Sequence, residues 1–153
     1  MARRSRFDKQ ARVDSDPFHL TLLAKNYQGY KNLLKLVSLS HLEGYYYKPR
    51  VDKDLLQKYS EGIICLSGCI GAEIPSALRY GDEKKTIELI EQYQSIYEDD
   101  FYIELQDQEL DFVKSTYKRL NEIAHDMGLP VVATNDVHYV KPEDAYAQDV
   151  LLA

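Results

Sequence analysis

Asn135-Asp136-Val137-His138-Tyr139 follows directly on an apolar run, Pro130-Val131-Val132-Ala133-Thr134. A short β-branched run that stops at Asp-x-His reads as a buried strand handing two metal-capable side chains to a sheet edge. Side chains alternate along a strand, so Asp136 and His138 are expected on one face. One carboxylate oxygen and one imidazole nitrogen make half of a site for zinc, manganese or iron. A loop turn carrying a solvated histidine fits the same residues. Cys69 follows a second apolar run, in the turn Ser67-Gly68-Cys69, and adds a thiol at another strand end. The spacing of Cys65 and Cys69 matches no disulfide framework, and the two need not face the same way. Cys65 reads as a small apolar residue packed within its strand.

Four strands are expected to position these groups, at residues 19–24, 62–66, 101–105 and 131–134. Between them lie helical patterns. Asn26 is a fitting N-cap for a helix over 27–42, with Tyr30, Leu33, Leu34, Val37 and Leu42 as its apolar stripe and Gly44 just past its end. Asp52 caps a short helix ending at Tyr59, and a further short helix over 74–78 closes near Gly81. Asp82 caps a helix with Ile87, Ile90, Tyr93 and Tyr97 on one face. Residues 110–127 carry Val113, Tyr117, Leu120, Ala124 and Met127 in helical register, with Gly128 as the stop. A last helix starts near Pro142, where a proline suits the first turn. Strand and helix alternate throughout, which predicts a parallel α/β sheet or barrel of about four βα units. Such folds gather their sites at the C-terminal strand edge, where Cys69, Asp136 and His138 fall.

The chain has 153 residues, enough for one domain with a real core, and a net charge of −6. That charge argues against a surface built solely to hold nucleic acid. Residues 1–17 read as a loop. Within it Arg3, Arg4, Arg6, Lys9 and Arg12 face a single acid over residues 1–12, Asp8. Such a basic arm fits a phosphate contact and equally a solvated loop. No apolar run approaches the roughly 20 residues of a membrane span, and the N-terminus lacks a signal-peptide core. A cytoplasmic protein with no membrane contact is the expectation. The uncapped apolar end, Asp149-Val150-Leu151-Leu152-Ala153, and the small number of βα units predict a piece of a larger barrel.

Arg4-Ser5-Arg6-Phe7-Asp8-Lys9, the run from His19 to Asn26, Gly29-Tyr30-Lys31-Asn32-Leu33, Glu43-Gly44-Tyr45-Tyr46-Tyr47-Lys48-Pro49-Arg50, Leu66-Ser67-Gly68-Cys69, Glu104-Leu105-Gln106-Asp107 and the run from Ala133 to Tyr139 occur in one order along the chain. Together they resemble the PHP (polymerase and histidinol phosphatase) domain family, in the form carried by bacterial DNA polymerase III alpha subunits. The resemblance covers nearly the whole chain. It implies an irregular, TIM-like β/α barrel that holds a cluster of metal ions. Carried over by position, it implies His19, Cys69, Asp136 and His138 as metal ligands, with the remaining ligands in an upstream segment.

On that resemblance residues 1–17 are a basic loop from the upstream part of the domain, and residues 18–153 are its C-terminal part, truncated at both ends. The implied activity is that of a metal-dependent phosphoesterase, a 3′–5′ proofreading exonuclease, within a DNA-directed DNA polymerase that acts in DNA replication. A catalytically inactive scaffold that binds partners is the rival reading. Zinc, manganese or iron would fill the site, and magnesium would serve a polymerase site outside this chain. DNA and other replisome subunits are the implied partners. The isolated chain would lack activity.

One position departs from the family pattern: Gln108 stands where a histidine is usual. A nearby nucleic-acid or partner contact is what that change puts in question. His19 begins its strand, the wrong end for a parallel barrel. Antiparallel pairing with an upstream segment is the expected resolution. Asp14-Ser15-Asp16 has a magnesium-type spacing but lies in a loop before Pro17. His41 and His125 read as helix-surface residues. Most of the thirteen tyrosines fall in helical patterns, where core packing is expected. Tyr46, Lys48 and Arg50, with Arg4 and Arg6 of the arm, are the candidates for a nucleic-acid or partner contact.

Overall fold

Four short strands form one mixed sheet in the order β1 (Thr21–Ala24), β2 (Ile63–Leu66), β3 (Phe101–Gln106), β4 (Val131–Thr134). The computed structural model describes residues 1–108 and 110–153. Strands β2, β3 and β4 are parallel, each joined to the next through helices. Strand β1 is antiparallel to β2, with Thr21 opposite Leu66 and Ala24 opposite Ile63. This corrects the expectation of an all-parallel sheet. The antiparallel direction expected for the first strand is found, with β2 as its neighbour. The sheet is open, with β1 and β4 at its edges.

Among the described residues six α-helices accompany it: α1 (Tyr27–Leu42), α2 (Lys53–Lys58), α3 (Glu73–Arg79), α4 (Glu83–Tyr97), α5 (Asp111–Asp126) and α6 (Ala145–Leu152). The caps read from the sequence are the caps in the fold. Asn26 accepts from the Gly29 N–H at 2.9 Å, Asp52 from Leu55 at 3.2 Å and Asp82 from Lys85 at 2.9 Å. Each satisfies an amide that the helix itself leaves free. Gly81 and Gly128 take positive φ just beyond α3 and α5, as helix-ending glycines do. The core lies between the sheet and helices α2 to α5. Leu56, Ile63, Cys65, Ile74, Ile90, Phe101, Ile103 and Leu120 are fully enclosed there. Tyr93 stacks on Phe101 with ring centroids 5.8 Å apart.

Helix α1 docks by a face rotated from its apolar stripe and shares only Leu33 with it. Tyr30, Leu34, Val37 and Leu42 are exposed, while Gly29, Asn32, Leu36 and Ser40 are buried. Close approach of backbones explains the choice. Gly29 lies so near Gly62 that a Cβ there would stand 1.7 Å from the Gly62 carbonyl oxygen. The Asn32 amide donates to the Glu61 carbonyl at 2.9 Å, which fixes the same approach. Gly29→Ala is expected to cost about 3 kcal/mol or more, because the obstacle is backbone and cannot rotate away. A urea midpoint equal to wild type would contradict this account. The tyrosine expectation is corrected in the same way. Tyr93, Tyr97 and Tyr117 are core residues, whereas Tyr27, Tyr30, Tyr45, Tyr47, Tyr80, Tyr139 and Tyr146 are exposed.

Residues 1–17 contain no helix or strand; ion pairs brace the segment internally and Arg6 ties it to the body. Arg4 meets the buried Asp14 at 2.6 Å and Arg3 meets Asp16 at 3.2 Å. Arg6 lies between Asp52 at 2.9 Å and Glu43 at 2.7 Å. The carboxylates of the Asp-x-Asp pair are thus partners of arginines. The Arg4 guanidinium holds the Asp14 carboxyl below its ordinary range, and Arg119 does the same for Glu83 on α4. A depressed folded-state pKa gives stability that is complete above the unfolded value near 4 and is lost as pH falls through the lower one. The urea midpoint is therefore expected to fall steadily below about pH 4. Asp14→Asn should flatten that slope, and a variant with the wild-type slope would remove Asp14 from the account.

Candidate metal centre

The antiparallel placement of β1 solves the problem of His19. Its strand starts where β2 ends, so His19 and the Ser67-Gly68-Cys69 turn share one end of the sheet. Cys69 Sγ lies 3.5 Å from His19 Nδ1. Gly68 makes the approach possible. It takes φ +87°, and a Cβ there would sit 2.6 Å from the Ala72 side chain and 3.6 Å from the His19 carbonyl. Ser67 anchors the turn. Its hydroxyl accepts from the Glu104 N–H at 2.9 Å and its own N–H donates to the Tyr102 carbonyl at 3.0 Å. Cys65 is sealed in the core, where burial pushes its thiol well above the ordinary range, while Cys69 is partly exposed. Both are free thiols.

Asp136 and His138 form the second pair at this edge. They lie beyond β4, which ends at Thr134, so the strand does not itself carry them. Their side chains nevertheless meet. His138 Nδ1 is 3.8 Å from Asp136 Oδ1 and 3.0 Å from the Asp136 carbonyl oxygen. Gln108 holds the carboxylate from the other side, its Nε2 donating to Asp136 Oδ2 at 2.9 Å. The register explains the meeting. Gln106 lies opposite Thr134 in the parallel β3–β4 ladder, and two residues further on Gln108 faces Asp136.

Tyr117 on α5 is a buried residue whose hydroxyl has no hydrogen-bond partner among the described residues. Burial raises its hydroxyl pKa, and the charges of Cys69, Glu104 and Asp136 push in the same direction. Imidazole nitrogen, thiolate and carboxylate are a donor set suited to zinc, manganese or iron. Among the described residues no three His, Cys, Asp or Glu side chains converge on one point. The structure thus brings the four expected ligands together as two pairs at one sheet edge, not as a closed cage.

The proposed nucleic-acid contact divides. Arg50 is 1% exposed, and its guanidinium donates to the carbonyls of Gly44, Asp14, Arg6 and Asp8 at 2.9 to 3.1 Å. It is a structural residue, which corrects its place among the contact candidates. Arg6 and Arg4 are held by the carboxylates described above. Tyr46 is half-buried and packs edge-on against Tyr47, with centroids 4.8 Å apart, and Lys48 is exposed. The residues that sequence reasoning missed are Glu104, Gln106 and Tyr117; Gln108 was singled out only as a departure from the family pattern. One signal was present. Tyr102, Glu104 and Gln106 alternate with Phe101, Ile103 and Leu105, which marks a polar face on a central strand.

The PHP domain model matches residues 5–108, a stretch that includes His19 and Cys69 and stops before Asp136. Curated relatives extend over the remainder. DNA polymerase III subunit alpha of Borreliella burgdorferi is 47% identical over 156 residues, covering 99% of this chain and 13% of the relative. The Thermus aquaticus protein of the same name is 45% identical and covers 100% of the chain and 13% of the relative. That of Treponema pallidum is 44% identical with 99% and 13% coverage. The chain therefore spans about 13% of the length of these relatives. With the family model covering two thirds of its residues, and with the strand-end histidine and cysteine of that stretch side by side, the chain belongs to the PHP domain family.

Proposed function

We propose that this chain is part of a DNA polymerase III alpha subunit and contributes a metal-dependent phosphoesterase site to it, acting as a 3′–5′ proofreading exonuclease. The parent enzyme is a DNA-directed DNA polymerase of the cytoplasm, acting on DNA with other replisome subunits. Among the described residues no helix is long and apolar enough to cross a membrane. In this reading the open sheet is part of an irregular β/α barrel that further strands complete. The observation that carries it is the pairing of His19 with Cys69 and of Asp136 with His138 at one sheet edge.

His19, Cys69, Asp136 and His138 would hold a divalent ion, zinc, manganese or iron. When bound, that ion supplies a lowered pKa for water and positive charge for a phosphate. The chain's own contribution is placement. Gln108 orients the Asp136 carboxylate, and the Asp136 carbonyl accepts from His138 Nδ1, leaving Nε2 as the outward nitrogen. Gly68 and Ser67 set the Cys69 thiol beside His19.

A second reading, a scaffold without chemistry, is favoured by the lack of a three-ligand cluster among the described residues. Elemental mass spectrometry separates the steps. Metal should co-purify with the chain and be absent from an Asp136→Ala/His138→Ala variant. Equal metal content in both would remove this pair from the site. Metal in neither would mean that the site needs the upstream ligands or is vestigial, and metal absent from the full-length polypeptide as well would favour the scaffold.

A further inference from the structure

We propose that Glu104 and Gln106 form a binding position for a hard divalent cation, of the magnesium, manganese or calcium class, on the polar face of β3. The residues are two apart on one strand, so their side chains leave the same face. Both are enclosed, at 4% and 8% exposure. Thr134 of β4 donates its hydroxyl to Glu104 Oε1 at 2.5 Å, and Gln106 Nε2 donates to the same oxygen at 3.3 Å. Gln106 Nε2 also lies 3.4 Å from Thr134 Oγ1. One carboxylate oxygen thus has two donors, and the amide nitrogen is committed.

The other two oxygens have nothing. Glu104 Oε2 and Gln106 Oε1 are buried without a hydrogen-bond partner among the described residues. Turning the Gln106 amide over does not help, because its oxygen would then face Glu104 Oε1. No ion pair to Glu104 is formed by any described Lys, Arg or His. A buried carboxylate with neither counter-charge nor full hydrogen bonding is costly, and orphaned groups of this kind mark a missing ligand. Two acceptors, one of them anionic, call for a cation. Both are oxygens, with no sulfur or nitrogen in the set, which selects a hard ion that keeps several of its waters. The position is chemically distinct from the thiol and imidazole pairs at the sheet edge and does not rest on their function.

Manganese and magnesium salts are the probes, applied to the 153-residue chain. Mn²⁺ at about a hundredfold above its dissociation constant should raise the melting temperature by about 5 °C or more. Electron paramagnetic resonance should count the bound ion, and Mg²⁺ should compete for it. Glu104→Gln should lose both the thermal rise and that ion, while matching or exceeding wild-type stability without divalent ions. Gln106→Met, which keeps the charge, should weaken binding in the same direction. The Asp136→Ala/His138→Ala variant should retain the rise. No rise in the wild type, an equal rise in Glu104→Gln, or loss of the rise only in the Asp136→Ala/His138→Ala variant would each overturn the proposal. The first of these means that water fills the position, and the last places the ion at the sheet edge.

Discussion

Asp136→Ala in the full-length polypeptide is expected to lower phosphodiester cleavage by about a hundredfold or more, with primer extension unchanged. The argument starts from the side chain. Asp136 brings the one carboxylate among the four expected ligands, and it is held between His138 and Gln108 at the end of the β4 segment. Removing it deletes an expected ligand and frees Gln108 and His138 at once. Gln108→Ala removes only the orienting hydrogen bond and should reduce cleavage about tenfold. Divalent-metal titration of each variant distinguishes a weakened site from a lost one. Excess metal should restore much of the Gln108→Ala activity and none of that of Asp136→Ala. Cleavage by Asp136→Ala at the wild-type rate would leave the scaffold reading in its place.

Arg50→Ala should produce the largest loss of stability of any single arginine substitution, about 4 kcal/mol. The guanidinium donates to four carbonyls, those of Gly44, Asp14, Arg6 and Asp8. It joins the N-terminal arm to the segment that follows α1. Truncation leaves those carbonyls, two buried and two partly buried, without donors, each at a cost of roughly 1 kcal/mol. Arg50→Lys restores the charge but not the planar fork, so it should recover only part of the loss. Because the arm is the element released, limited proteolysis of either variant should cut first within residues 1–17. A denaturant midpoint for Arg50→Ala within error of wild type would refute the structural role. Arg3→Ala is the contrast: its partner Asp16 is largely exposed, and its loss should be small.

Residue chemistry and local pattern carried most of the secondary structure. Asn26, Asp52 and Asp82 mark helix starts because a short acceptor side chain meets the free amides of a first turn, a purely local interaction. Val113, Tyr117, Leu120 and Ala124 of α5 point to the core as their spacing requires. The stripe on α1 held only at Leu33, because the spacing of apolar residues says which of them share a face. It does not say whether that face or a glycine-lined one offers the closer approach to the sheet. Gly29 against Gly62 decided that, through two residues far apart in the chain.

For the candidate site, the sequence by itself determined the residue types and their places at strand ends: Cys69 after β2, the Asp136 and His138 pair after β4, and His19 before β1. Only the tertiary structure decided which of them meet. Strand direction is a property of pairing, so the antiparallel β1 that sets His19 against Cys69 has no local signature. Register is likewise non-local, and it brings Gln108 to Asp136 and leaves Glu104 and Gln106 facing inward with unpartnered oxygens. Arg50 shows the same division. Its guanidinium gave a contact reading in one dimension. In three, the carbonyls of the arm surround it and make it part of the frame.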